Sequence, residues 1–173
     1  SGDHPLWRAG ALVILGRSRF QAGDLRGAVV DLEAAHLLAS SSRGPRAARV
    51  AADAGVLLGR INEARGKLDA AVRRYEEVLS ASAPRADSPD LALGARLAAE
   101  VGLARVALTR LELAKAGKLL EGVRGALDVQ RSAPPDDGGS AVVIDPIRVV
   151  FEGELAHSTL LVLEGRPDDA RAV

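Results

Sequence analysis

Three arginines recur along the chain at nearly constant spacing and could together bind carboxylate groups. They are Arg17, Arg60 and Arg105, and each directly follows a small residue. A guanidinium group can donate two parallel hydrogen bonds to one carboxylate, so a column of them favours a partner with acidic side chains. A valine stands one helical turn before each arginine, at Val13, Val56 and Val101. The two columns predict a surface for an extended or helical protein segment that is acidic on one side and apolar on the other.

The same arginines have a second interpretation as members of internal ion pairs. Acids that could pair with them are Asp53, Glu63 and Glu100. Such a pair at an exposed site has a net energetic effect near zero. Twenty of the twenty-three basic residues are arginine, so chance alignment is also open. Ligand contact and internal pairing both remain as hypotheses at this point.

The other polar residues form no recognisable catalytic or metal-binding pattern. The three histidines lie far apart, at His4, His36 and His157, and the chain has no cysteine. A phosphate-binding glycine loop, a dinucleotide fingerprint and a serine nucleophile elbow are all missing. We therefore expect no enzymatic activity, no metal and no cofactor.

Charge and hydropathy exclude several classes of partner. Twenty-three basic residues balance twenty-three acidic residues, so no global field favours nucleic acid. No apolar run approaches the ~20 residues that span a bilayer, so we expect no membrane insertion. The absence of cysteine does not separate cytosol from periplasm, and the compartment stays unknown with a soluble cytoplasmic location favoured. Because the chain begins Ser1-Gly2 without methionine, we expect a fragment of a longer protein.

Amphipathic helices are the elements that would position the arginines. Apolar residues recur at helical spacing and are interrupted by glycine, proline and serine clusters. The pattern predicts helices at about 6–22, 25–40, 46–65, 68–82, 89–110, 114–130 and 147–164, with an eighth starting near residue 167. Gly23, Gly66 and Gly165 follow the first helix of a pair and suit the left-handed conformation that ends a helix. The helices should therefore form hairpin pairs.

One line of sequence occurs twice, as LGRSRFQAGDLRGAVVDLEAA from Leu15 to Ala35 and as LGRINEARGKLDAAVRRYEEV from Leu58 to Val78. Alignment superposes Gly16 on Gly59 and Ala28 on Ala71, and a third copy places Ala104 and Ala116 there. This spacing of small residues resembles the tetratricopeptide repeat (TPR) family. The third copy departs from the pattern because it lacks a turn glycine at Leu111 to Leu113. The repeat period of this chain is longer than the ~34 residues usual in the family. In this it is similar to the helical-repeat arms of bacterial signal-transduction regulators.

The resemblance implies an all-α fold, namely a right-handed α-α superhelix or TPR-like solenoid of about three and a half helix-turn-helix repeats. One domain would cover residues 1–173, with repeats at about 6–40, 46–82, 89–130 and 147–173 and a mobile loop at about 131–146. The first helices of the pairs would line a concave groove. The groove residues implied by the family register are Val13, Arg17, Phe20, Val56, Arg60, Glu63, Val101, Arg105 and Leu108.

Two functions follow from that resemblance. The first is a non-enzymatic protein–protein interaction module or scaffold, whose groove binds a protein or peptide with acidic and apolar residues. The alternative is the sensor or regulatory arm of a larger bacterial signal-transduction protein, of ATPase or transcription-regulator type. Self-association is a further hypothesis, because a truncated fourth pair would leave an apolar face uncapped between Leu155 and Leu163.

Overall fold

The described part of the chain consists of α-helices joined by short turns. A computed structural model describes residues 4–81, 93–132 and 146–170, and within them it contains no strand. The helices are α1 His4–Gln21, α2 Leu25–Ser40, α3 Pro45–Ala64, α4 Leu68–Ala81, α5 Leu93–Thr109, α6 Leu113–Ser132, α7 Pro146–Leu163 and α8 Pro167–Ala170. The all-α prediction is confirmed. The predicted start of the fifth helix at residue 89 and most of the predicted loop at 131–146 lie outside the described residues, while Ser132 and Pro146 belong to helices.

Neighbouring helices pack in pairs, α1 with α2, α3 with α4, α5 with α6 and α7 with α8. The odd-numbered helices also contact one another in series, α1 with α3, α3 with α5 and α5 with α7. Each buried cluster of the core lies among consecutive helices. Large members of these clusters are Val13, Leu32 and Ile61 for α1 to α3, then Val56, Tyr75 and Val106 for α3 to α5, and Leu108, Leu120 and Leu160 for α5 to α7. Burial of a side chain of this size contributes about 1.5–3 kcal/mol.

The aligned small residues mark the places where helices come closest. Ala28, Ala71 and Ala116 each have 0% of their surface exposed. A Cβ atom added at Gly16 would lie 2.6 Å from Cγ of Leu32, which stands on the second helix of the same pair. The internal repeat is therefore visible in the packing, because equivalent positions have equivalent surroundings.

Tyr75 links the second pair to the third. Its side chain is 0% exposed, and its ring lies between Gly59 of α3 and Gly102 of α5. A Cβ atom at either glycine would overlap the ring. The two glycines thus allow α3 and α5 to approach with a whole aromatic ring between them, which sets their separation beside the site described below.

All four pairs turn with the same backbone geometry. A residue with positive φ follows the first helix of each pair, at Gly23 (84°), Gly66 (69°), Leu111 (58°) and Gly165 (76°). The next N–H donates to the carbonyl oxygen five residues earlier, for example Glu112 to Ala107 at 2.9 Å and Arg166 to Leu161 at 2.8 Å. This is the hydrogen bond of a glycine-terminated helix. The third turn keeps that geometry with leucine, although a side chain in the left-handed region costs about 1–2 kcal/mol.

Candidate functional site

The four odd-numbered helices together line an open pocket of about 650 Å³. Helix α1 contributes one side chain, α3 and α5 contribute three each, and α7 contributes five. They are Phe20, then Arg60, Glu63 and Ala64, then Arg105, Leu108 and Thr109, and finally Glu152, Leu155, Ala156, Thr159 and Leu163. Because every odd helix takes part, the pocket exists only when these helices lie side by side.

An ion network crosses one wall of the pocket. Arg105 donates from Nε and Nη2 to the two carboxylate oxygens of Glu63, both at 2.9 Å. Its Nη1 donates to Glu152 at 3.0 Å, and Nη2 of Arg60 lies 2.9 Å from the other oxygen of Glu152. Between 19 and 25% of each of these four charged side chains is exposed. The network therefore joins α3, α5 and α7 at a surface that solvent still reaches.

The phenol of Tyr75 supports this network from beneath. Its hydroxyl donates to Oε2 of Glu63 at 2.8 Å. Burial and the neighbouring Glu63 carboxylate raise the pKa of Tyr75 above its ordinary value, so the phenol keeps its proton at neutral pH. Burial alone would lower the pKa of Arg105, but the hydrogen bonds and charge of Glu63 hold that pKa above its usual range. Glu63 is thus fixed on two sides and Arg105 remains charged.

The pocket takes in only part of the predicted arginine column, and its third member, Arg17, is half-buried elsewhere. Arg60 and Arg105 line the pocket, whereas Arg17 lies beside the buried Asp53. Two of the three acids proposed as internal partners are therefore near an arginine of the column, Asp53 beside Arg17 and Glu63 bonded to Arg105. The third, Glu100, interacts with Arg96 instead, and burial raises the pKa of Glu100. Ligand contact by Arg60 or Arg105 would require an exchange of partners.

The predicted valine column does not face an open groove, so this part of the expected groove is wrong. Val13, Val56 and Val101 are 1, 2 and 0% exposed, respectively. They pack among neighbouring helices in three of the core clusters. A position one turn before the arginine is rotated toward the adjoining helix, so its side chain is covered. The apolar surface of the pocket comes instead from other residues, including the predicted Phe20 and Leu108.

The nine groove residues implied by the family register include none from α7. In the fourth copy Ser158 aligns with the small position, so Thr159 and Leu155 correspond to the arginine and the valine of the other copies. Both line the pocket, and Leu155 is 59% exposed. Extension of the register to the fourth copy would have identified them. No such signal identifies Glu152, because only the packing of α7 on α5 brings it to Arg60 and Arg105.

The pocket thus combines apolar side chains with four charged groups that are paired with one another. Within residues 4–81, 93–132 and 146–170, no group of three or more histidine, aspartate or glutamate side chains could hold a metal ion. The helices in those ranges include none that is long and apolar enough to cross a membrane.

Comparison of the chain with protein-family models, with curated proteins and with solved structures gave no match.

Proposed function

We propose that the chain is a non-enzymatic TPR-like module, stacked as a right-handed superhelix, that binds a segment of a partner protein in the odd-helix pocket. The observation that carries the proposal is the shared pocket itself, to which all four odd helices contribute. Repeat proteins use such surfaces, made by equivalent helices of successive repeats, to hold extended partners. A volume of about 650 Å³ suits a few side chains of such a segment.

The proposed segment carries both apolar side chains and a carboxylate. Its apolar groups would contact Phe20, Leu155 and Leu163, of which the last two are 59 and 44% exposed. The ion network already has two positive and two negative groups. A carboxylate added by the partner therefore gains little binding free energy unless it replaces one of the two acids. Glu63 is held by both Arg105 and Tyr75. The partner carboxylate would therefore replace Glu152, which arrives from α7 and bonds to Arg60 and Arg105.

The same contact supports a second candidate, the regulatory arm of a larger bacterial signal-transduction protein. Glu152 connects α7 to both α3 and α5. A ligand that displaced Glu152 would shift the position of α7, and an attached output domain could respond to that shift. Faster hydrogen exchange in α7 on ligand binding would support this candidate, and unchanged exchange would count against it.

The first experiment locates a bound segment directly. Peptides selected from a phage-displayed random library on the 173-residue chain serve as the probe. A photoreactive benzoylphenylalanine is placed at Thr109, an exposed residue of the pocket, or at Ser80, an exposed residue of α4 outside it. The proposal predicts cross-links from position 109 and few from position 80. Equal cross-linking at the two positions, or failure to select any peptide, would reject it.

A further inference from the structure

The series of odd-numbered helices has two ends, α1 and α7. Within the described residues α1 contacts α2 and α3, and it does not contact α7. Each end helix uses one side for the core. On its opposite side the large apolar residues stay exposed within the described part of the chain, although Arg46 of α3 lies over the Trp7 ring. The composition of these two outer sides indicates what could cover them.

The outer side of α1 is apolar at its centre. Trp7 and Ile14, two turns apart on one stripe, are 62 and 61% exposed. Ala11 lies between them and is also exposed. The core residues Ala9 and Val13 project from the other side of the helix and are 0 and 1% exposed. We name Trp7, Ala11 and Ile14 the α1 end face.

The outer side of α7 has the same character. Phe151, Leu155 and Val162 form one stripe and are 67, 59 and 55% exposed. Ala156 and Leu160 project from the opposite side and are both 4% exposed. We name Phe151, Leu155 and Val162 the α7 end face, of which Leu155 stands at the edge and also lines the pocket. Contiguous apolar surface of this kind is uncommon on a monomer unless it binds something.

The charges near the two end faces have opposite sign. Helix α1 contains no acidic residue, and of its three arginines Arg19 is paired with Asp31 and Arg17 lies near Asp53. Arg8 is exposed, and the guanidinium carbon of Arg46 lies 4.1 Å from the centroid of the Trp7 ring. At the other end, Glu164, Asp168 and Asp169 are exposed around Arg166, the one base among the described residues 164–170. Among the described residues, the exposed charges beside the α1 end face are therefore the positive Arg8 and Arg46, and those following the α7 end face are mainly negative.

We propose that copies of this chain associate head to tail, with the α1 end face of one copy packed against the α7 end face of the next. Such a contact would repeat between copies the odd-helix contacts found within the chain. Contact between two α7 end faces would bring acidic groups together, and contact between two α1 end faces would bring arginines together, so unlike ends are favoured. Because such a contact joins two different faces, each dimer still has one free α1 end face and one free α7 end face, and further copies can add to it.

Sedimentation velocity of the 173-residue chain over a wide concentration range tests this proposal. The mean mass should rise with concentration and pass that of a dimer. Ile14→Lys and Phe151→Lys each remove one end face at an exposed position outside the pocket, so each variant alone should remain monomeric. Because each retains the face that the other lacks, an equimolar mixture should form dimers and stop there. Leu37→Lys, at a residue of α2 that is 71% exposed, is the control that should still assemble.

Three results would overturn the proposal. The first is a wild-type chain that stays monomeric at every concentration. The second is a dimer that one of the two substitutions abolishes and the other leaves intact, because that pattern indicates pairing of identical faces. The third is a mixture of the two variants that forms no dimer. Circular dichroism checks that each variant keeps its helix content, and Val162→Lys repeats the test on the α7 end face.

Discussion

At the scale of single residues, Asp53 is a carboxyl group held inside the protein. It is 2% exposed, and its Oδ2 has no hydrogen-bond partner in the described part of the chain. Burial raises the pKa of Asp53 to about 7, although the charges of Arg49 and Arg17 oppose the shift. The folded state therefore keeps this proton at pH values where the unfolded chain has already lost it. The retained proton of Asp53 therefore contributes fully to the free energy of unfolding below the ordinary pKa of 3.8, and this contribution declines as the pH rises toward about 7.

We predict that the free energy of unfolding is higher at pH 5 than at pH 8, by roughly 2–3 kcal/mol from Asp53. Asp53→Asn should remove this difference and should stabilise the protein at pH 8, because the amide carries no charge to bury. Urea unfolding of both proteins at the two pH values measures the effect. Glu33→Gln, on the exposed surface of α2, is the control that removes one carboxylate and leaves Asp53 in place. An equal decline with pH in Asp53→Asn and in the wild type would contradict the assignment.

The exchange proposed at Glu152 also belongs to single residues. Glu152→Gln removes the negative charge from the place that a partner carboxylate would take, beside Arg60 and Arg105. Affinity for a selected peptide that contains a carboxylate should increase by about tenfold, since charge-assisted hydrogen bonds then form without competition. Fluorescence anisotropy with a labelled peptide measures this change.

Two controls make that measurement specific. Glu154→Gln makes the same change on the same helix but outside the odd-helix pocket, so it should leave the affinity for the peptide unchanged. A peptide whose acidic residue is replaced by its amide should bind wild type and Glu152→Gln equally well. If Glu152→Gln binds the acidic peptide no better than wild type does, carboxylate exchange is excluded.

Residue spacing predicted part of this site and could not predict the rest. The recurrence of arginine after a small residue located Arg60 and Arg105, and the helical register placed Glu63 near them. Arg60 and Arg105 are joined through Glu152. Its helix, α7, is distant in sequence and comes close to them only because it packs on α5. The burial of the three valines could not be predicted for a similar reason. Whether a residue is exposed depends on the neighbouring helix, and the spacing of residues along one helix does not show where that neighbour lies.

At the scale of helices and turns, the third pair contains a local strain that can be relieved. Leu111 adopts φ 58° where the other three pairs have glycine, and its side chain is 69% exposed. We predict that Leu111→Gly stabilises the protein by about 0.5–1 kcal/mol, because relief of the left-handed strain exceeds the entropy that glycine adds to the unfolded chain. Thermal unfolding followed by circular dichroism checks the change. Gly66→Leu should destabilise by a comparable amount, and a destabilised Leu111→Gly would count against strain at this turn.

The close approach around Tyr75 gives a second prediction for the helices. Gly102→Ala places a methyl group against the buried ring, which Gly59 flanks on its other side. The ring has no free side toward which to move, so we expect a loss of roughly 1–3 kcal/mol. Gly125→Ala in α6, where an added Cβ meets nothing within 4 Å, should gain about 0.5–1 kcal/mol from helix propensity. Denaturant unfolding compares the two variants, and equal effects would show that the ring does not restrict position 102.

Helix boundaries were predictable because glycine, proline and apolar spacing act locally. The helix ends on either side of Leu111 were also predicted to within one residue, but its left-handed conformation was not, since leucine does not signal a left-handed residue. Its geometry follows from the helices on either side, whose aligned small residues Ala104 and Ala116 are both 0% exposed. Packing of the third pair therefore imposes a conformation that the local sequence disfavours.

At the scale of the whole molecule, the repeat determines which helices meet. A similar line of sequence in successive pairs puts odd helices next to odd helices, and the shared pocket results from that order. The helical class and the pairing followed from sequence because each pair is a local unit. The shape of the pocket did not, because it needs side chains from four helices spread over most of the chain. The superhelix and the TPR relationship remain proposals based on the repeat.

The affinity of a selected peptide for Leu163→Glu tests the proposed binding site most directly. Leu163 lines the pocket and is 44% exposed, so glutamate there removes apolar contact and repels an acidic segment while the core stays intact. Leu37→Glu makes the same chemical change on α2, outside the pocket. Binding through the pocket predicts at least about tenfold weaker affinity for Leu163→Glu and wild-type affinity for Leu37→Glu. Equal affinity of the wild type and Leu163→Glu would contradict it.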